Sequence, residues 1–210
     1  MEANTTRVRR KDTRADEIID SAITLFLNKG FENVTFSDIA KHGKMARSTI
    51  YLYFKDKNEL LRASVHKKFQ DHIQIFASSK IKSDDPSEKV MEKLLGVMHK
   101  MFMTDEYPKF MTLVASLATR DPVIAEIWRE ESLNHVKEIW RELALQLHLT
   151  EELSNLYLTT LFSIFFTACL TKTCFKEENP FLSFTDFTKI AKSQKGGIYA
   201  VLGMENTTVQ

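Results

Sequence analysis

Residues Thr35 to Leu61 read TFSDIAKHGKMARSTIYLYFKDKNELL. The pattern is two short helices around a tight turn, then an aromatic doublet and the start of a third helix. Thr35 followed three residues later by Asp38 is a capping-box-like helix start, with Ile39 and Ala40 facing inward. Gly43 breaks the pattern, and Met45 is the apolar residue that plugs the turn. The next helix, Ala46 to Leu52, carries Arg47, Ser48, Thr49 and Tyr51 in its exposed N-terminal half. A helix led by short hydroxyls and an Arg fits the DNA major groove, about 12 Å wide, and can hydrogen-bond base edges there. The stretch therefore predicts a helix-turn-helix with its motif at about residues 35–54.

Within the motif, Arg47, Ser48 and Tyr51 share one face by i, i+3 and i, i+4 spacing, away from Ile50 and Phe54. Phe54 reads as core, Tyr51 as a DNA contact and Tyr53 as a phosphate contact through its hydroxyl. Arg47 either reads guanine bidentately or holds phosphate. Thr49 either contacts DNA or bonds back within its own helix. Lys57 opens the third helix, where its ammonium and free backbone N–H groups suit a phosphate. Lys44 in the turn points to phosphate if exposed, and Thr35 offers a hydroxyl to the other side of the groove.

The run Asp38-Ile39-Ala40, Met45, Thr49-Ile50-Tyr51, Tyr53-Phe54, Lys57 and Leu60-Leu61 resembles the signature of the TetR/AcrR family of bacterial transcriptional regulators. The upstream Phe26, Gly30, Phe31, Val34 and Thr35 fit the same pattern in order and spacing, so the likeness covers about the first third of the chain. Two positions depart from it. The turn usually carries Gly where Lys44 stands, so either Gly43 takes the left-handed conformation or Lys44 does. The recognition helix usually opens on a Ser or Thr cap, whereas Ala46 stands here. The resemblance implies an all-α fold with a three-helix DNA-binding head and a helical ligand-binding and dimerisation body. It implies a homodimeric repressor on a pseudo-palindromic operator, with Lys57 on phosphate. The last two long helices, about 152–174 and 184–202, would form the dimer interface, the second interrupted by Gly196-Gly197.

Composition agrees with a helical protein. The 210 residues include only 6 Gly and 4 Pro, and the net charge is +1. Charge is unevenly placed: residues 1–68 hold 14 Lys and Arg against 9 Asp and Glu, and the remainder is net acidic. A basic head on an acidic body suits a DNA reader joined to a sensing domain. Residues 1–11, with Arg7, Arg9, Arg10 and Lys11, are expected as a basic flexible arm, 12–58 as the head and 59–210 as the body.

Helical periodicity is expected from Asp12 to Lys29, Asp56 to Ser78, Glu88 to Met103, Pro108 to Ala118, Asp121 to Leu147 and Thr150 to Cys174, with a last helix from Thr185. The body is rich in Met and Phe. Met98, Met101, Phe102, Phe110, Met111, Phe162, Phe165 and Phe166 read singly as helix packing, and as a set as an adaptable lining for a small apolar or amphipathic ligand. Leu153 to Thr171 has no charge, but Ser154, Asn155, Thr159, Thr160, Ser163 and Thr167 interrupt it, which favours a buried bundle helix over a membrane span. Cys169 and Cys174 fall on different faces and read as structural thiols. With no secretory pattern, a reducing cytoplasm is the expected compartment.

No Gly-rich phosphate loop, metal-binding His pair or nucleophile elbow is present, so no enzyme activity, cofactor or metal is expected. The rival reading is a ligand- or partner-binding helical module with weak or non-specific DNA binding.

Overall fold

A computed structural model describes residues 2–78, 81–82, 85–104, 106–146 and 149–174. Every element among them is helical: α1 Glu2–Lys29, α2 Phe36–His42, α3 Arg47–Tyr51, α4 Lys57–Ser78, α5 Ser87–Met103, α6 Glu106–Ala118, α7 Pro122–Trp128, a π-helical turn Arg129–Leu133, α8 Asn134–Gln146 and α9 Glu151–Cys174. The expected all-α class is thus the observed one. The helix expected from Thr185 and the loop around Pro180 lie outside the described residues.

Two compact units divide the chain, residues 1–69 with 113–133, and residues 70–112 with those from 134 onward. The first unit is larger than the head expected at 12–58. Leu60, Leu61, Val65 and Phe69 on the first turns of α4 are all buried, so those turns belong to the head's core. The basic residues expected as a separate arm instead continue α1, because nothing between Glu2 and Lys29 is Gly or Pro.

The head is built on α1, whose Ile18, Ile19, Ala22, Ile23 and Phe26 recur at helical spacing and are buried. Gly30 ends the helix at φ +80, a left-handed backbone in which its N–H bonds to the Phe26 carbonyl at 3.0 Å. Phe31 then turns edge-on to the Phe26 ring at 5.1 Å. Each short helix contributes a fully buried anchor, Ile39 from α2 and Ile50 from α3.

Asp121 caps α7 through the Val123 N–H at 2.8 Å, and Pro122 follows at the first helical position. The single helix expected from Asp121 to Leu147 is in fact two, joined by the π-helical turn. That wider turn shifts the helical phase and carries Glu130 and Glu131, which both meet Arg62 of α4, at 2.5 and 3.1 Å. Glu131 also meets His66 at 2.9 Å.

In the second unit Val90, Leu94 and Leu95 of α5 pack with Trp140 and Leu143 of α8 and Leu161 of α9. The Trp140 indole N–H donates to both the carbonyl and the hydroxyl of Ser154 at 2.9 Å, tying α8 to α9. Ser154–Cys174 is long and apolar enough to cross a membrane by length and composition. Its Phe165, Ala168 and Cys169 are buried against Met98, Met101 and Tyr107, and 24% of the span is buried.

Candidate nucleic-acid interface

The orientation of α3 is set by how α2 ends. The Met45 N–H bonds to the Ala40 carbonyl at 2.9 Å and the Lys44 N–H to the Lys41 carbonyl at 3.4 Å. These are the two reciprocal bonds of a Schellman turn, with Lys44 at the position that favours glycine. Lys44 takes the left-handed conformation itself, at φ 51, while Gly43 stays at φ −78. A Cβ at Gly43 would lie 2.5 Å from Met45 Cε, the movable end of that side chain, and 3.1 Å from the Ser21 hydroxyl. The turn therefore closes with its glycine one residue early, at the cost of a strained lysine.

Beyond the turn, α3 starts on Ala46 in extended conformation with no side-chain cap. Ile50 is wholly buried and Phe54 nearly so, which fixes the opposite face outward. On that outer face the Arg47 guanidinium donates to the Tyr51 hydroxyl at 2.9 Å and lies 5.5 Å from its ring centroid. The Tyr51 ring also meets Phe36 edge-on at 5.0 Å. The pair is thus held by α2 and still projects, with Tyr51 about half exposed and its own hydroxyl proton left to donate. Ser48 is exposed beside it, Thr49 and Tyr53 are half-buried, and Lys44 is exposed.

Two of the residues expected to contact DNA make hydrogen bonds within the protein. The Thr35 hydroxyl donates to the Asp38 carboxylate at 2.5 Å and accepts from the Asp38 N–H at 3.2 Å, while the Thr35 N–H donates to the same carboxylate at 2.9 Å. This completes the capping box, and it holds the Asp38 carboxyl below the usual carboxylate range through its bonds to Thr35. The hydroxyl that was expected in the groove is engaged within the protein.

Lys57 is engaged within the head as well. Its ammonium donates to the carbonyls of Phe31 (2.7 Å), Glu32 (3.1 Å) and Val34 (3.1 Å), and sits 4.5 Å from the Phe31 ring centroid. An ammonium has three protons, and each has an acceptor inside the head. Partial burial lowers its pKa from the usual lysine value. Lys57 clasps the α1–α2 connection in this structure; the sequence shows the lysine but not the three carbonyls that converge on it.

Residues 18–64, the stretch that forms this arrangement, match the family described as bacterial regulatory proteins of the tetR family. The helix-turn-helix region of this chain is thus similar to that family. Over 124 residues it is 28% identical to the biofilm operon icaADBC HTH-type negative transcriptional regulator IcaR of Staphylococcus epidermidis. That alignment covers 59% of this chain and 62% of the relative, so the chain spans less than two thirds of the relative's length. Among solved structures, it shares its fold with a Mesorhizobium loti protein classed as a TetR-family transcriptional regulator, at a TM-score of 0.72 and 19% identity over 91% of this chain and 98% of the other. The fatty acid degradation regulator FadR of Bacillus halodurans follows at 0.63 and 21% identity, over 84% of this chain and 90% of that one. TetR-family regulators form a non-enzyme class.

In the body of this chain, three of the expected ligand-lining residues come together. Phe165 is buried with Ala168 and Cys169, and Met98 and Met101 pack against them. Phe162 and Phe166 stack on each other at 6.0 Å and are half-buried. Phe110 and Met111 are buried too. The Phe102 side chain lies outside the described residues. Burial pushes the Cys169 thiol up to about 12, which makes it a packing residue with little thiolate at neutral pH. One exposed residue of the recognition helix escaped the sequence reading: Leu52, the C-cap of α3. Its spacing of four from Ser48 was the available signal.

Proposed function

We propose that this chain is a sequence-specific DNA-binding transcriptional repressor that acts as a homodimer on a pseudo-palindromic operator and is released by a small apolar or amphipathic ligand. The observation that carries this reading is the outer face of α3. A buried Ile50 and a closed turn hold Arg47 and Tyr51 as a hydrogen-bonded pair with donors left over for a nucleic acid. The excess of basic residues over the first 68 positions supplies phosphate attraction and counterion release. Arg47, Ser48, Thr49 and Tyr51 would face the groove, and Lys44 and Tyr53 the phosphates.

Support for the homodimer comes from α9. Asn155, Leu156, Thr159, Ser163 and Thr167 are exposed on one face of a helix with no charge from Leu153 to Thr171, and interface centres are depleted in charge. Two heads would then occupy half-sites about one helical turn apart. Support for the ligand comes from the Met98, Met101 and Phe165 cluster, whose flexible thioethers adapt to varied apolar shapes. Such a ligand shifts the protein away from the operator only by its differential affinity for the two states. An operator-binding protein of this kind works in the cytoplasm.

The rival, a partner-binding module with weak DNA binding, would be favoured by an open or collapsed turn at Lys44 and Ala46. The turn is closed by both of its hydrogen bonds. Selection from a random duplex library at near-physiological salt tests the proposal. Recovery of a palindrome with two half-sites supports it, and ligands can then be screened by release. Recovery of no motif, with binding that fades as salt rises, overturns it in favour of the rival.

A further inference from the structure

Leu52 is 78% exposed, although its two neighbours in the fold are locked in place. Its N–H bonds to the Thr49 carbonyl at 3.2 Å, and the amides of Tyr53 and Phe54 both bond to the Ile50 carbonyl at 3.0 and 2.9 Å. Its backbone stays helical at φ −72 and ψ −19, so the side chain continues the face that carries Ser48 four residues earlier, next to the Arg47–Tyr51 pair. A lone exposed leucine on a protein surface needs no explanation. This one stands at the C-terminal end of the helix whose outer face the proposed operator would cover, on a backbone anchored by a wholly buried Ile50 and a buried Phe54.

Leucine brings neither donor nor acceptor to a groove. The one apolar group on the major-groove edge of the base pairs is the thymine 5-methyl. Resting on the DNA-binding reading above, we propose that Leu52 is a specificity-determining residue that packs on a thymine methyl in each half-site. Arg47 and Tyr51 supply the polar contacts around it, and Ser48 lines the same side.

The test uses the full chain and the duplex recovered by library selection, with each dT replaced singly by dU so that only the methyl is lost. Leu52→Ala should weaken binding to the selected duplex by about threefold to tenfold and leave binding to random duplex unchanged. One dU position per half-site should weaken the wild type by a similar factor and leave the Leu52→Ala protein unaffected. Because Leu52 is exposed, an unchanged Tm should accompany these results. The proposal is overturned if Leu52→Ala binds like the wild type, if it weakens selected and random duplexes alike, or if every dU position acts equally on both proteins. If the wild type selects no duplex at all, the DNA-binding reading itself has failed, a result distinct from the other three.

Discussion

The head and the body of this protein are both helical, but they are held together by different forces. In the head, α2 has 7 residues and α3 has 5, lengths at which a free helix does not persist in water. Each is closed by directional bonds: the Thr35–Asp38 capping box, the Schellman turn through Lys44, and the Lys57 clasp on three carbonyls. In the body, α5 has 17 residues and α9 has 24, and they meet mainly through Val, Leu, Met and Phe side chains. Directional bonds admit one geometry, whereas apolar packing admits several of similar energy. A surface that must match a groove needs the first kind, and a region that must accommodate a ligand can use the second.

The contrast can be broken most severely from the body side. Phe165→Ala should destabilise the protein by about 3–5 kcal/mol in urea unfolding followed by tryptophan fluorescence, as for other large-to-small core changes. A cost below about 1 kcal/mol would mean that the cluster around Met98 and Met101 collapses easily or already encloses space.

Next comes the clasp. Lys57→Ala should cost about 1.5–3 kcal/mol of stability by leaving three carbonyls without their donor. It should also leave the salt dependence of DNA binding unchanged. A slope reduced by about one unit, with unaltered stability, would return Lys57 to the phosphate backbone.

Two changes should strengthen the head. Ala46→Ser supplies the missing cap of α3 and should add about 1 kcal/mol. Lys44→Gly relieves the left-handed lysine and should add about 0.5–1 kcal/mol, while lowering operator affinity if the Lys44 ammonium meets phosphate. Guanidinium unfolding and a titration at two salt concentrations separate the two effects.

The smallest effect is set by pH. The Asp38 carboxyl is held below its ordinary range by its bonds to Thr35. Its contribution is therefore present above the unfolded value near about 4 and is lost as pH falls through the lower folded value. Asp38→Asn should flatten the acid limb of the stability curve below about pH 4. An unchanged limb would show that the capping box carries no linkage.

How far the sequence could be read follows the same division. The capping box, the plug at Met45, the buried Ile50 and Phe54 and the exposed Arg47 were all legible, because each depends on neighbours within four residues along the chain. The family resemblance carried by residues from Phe26 to Leu61 was legible for the same reason. Which of Gly43 and Lys44 would take the left-handed turn was not, since that depended on the residue at which α2 ends. Nor was the role of Lys57, whose acceptors are 23 to 26 residues away. The π-helical turn that divides the helix expected from Asp121 to Leu147 was invisible too, because Glu130 and Glu131 find Arg62 only across 68 and 69 residues. Local spacing, then, determined most of the helices, the motif and the family resemblance. The tertiary structure alone decided which polar groups of the head remain exposed and which bond within it, because a hydrogen-bonding group is assigned by what lies within about 3 Å of it and not by its place in the chain.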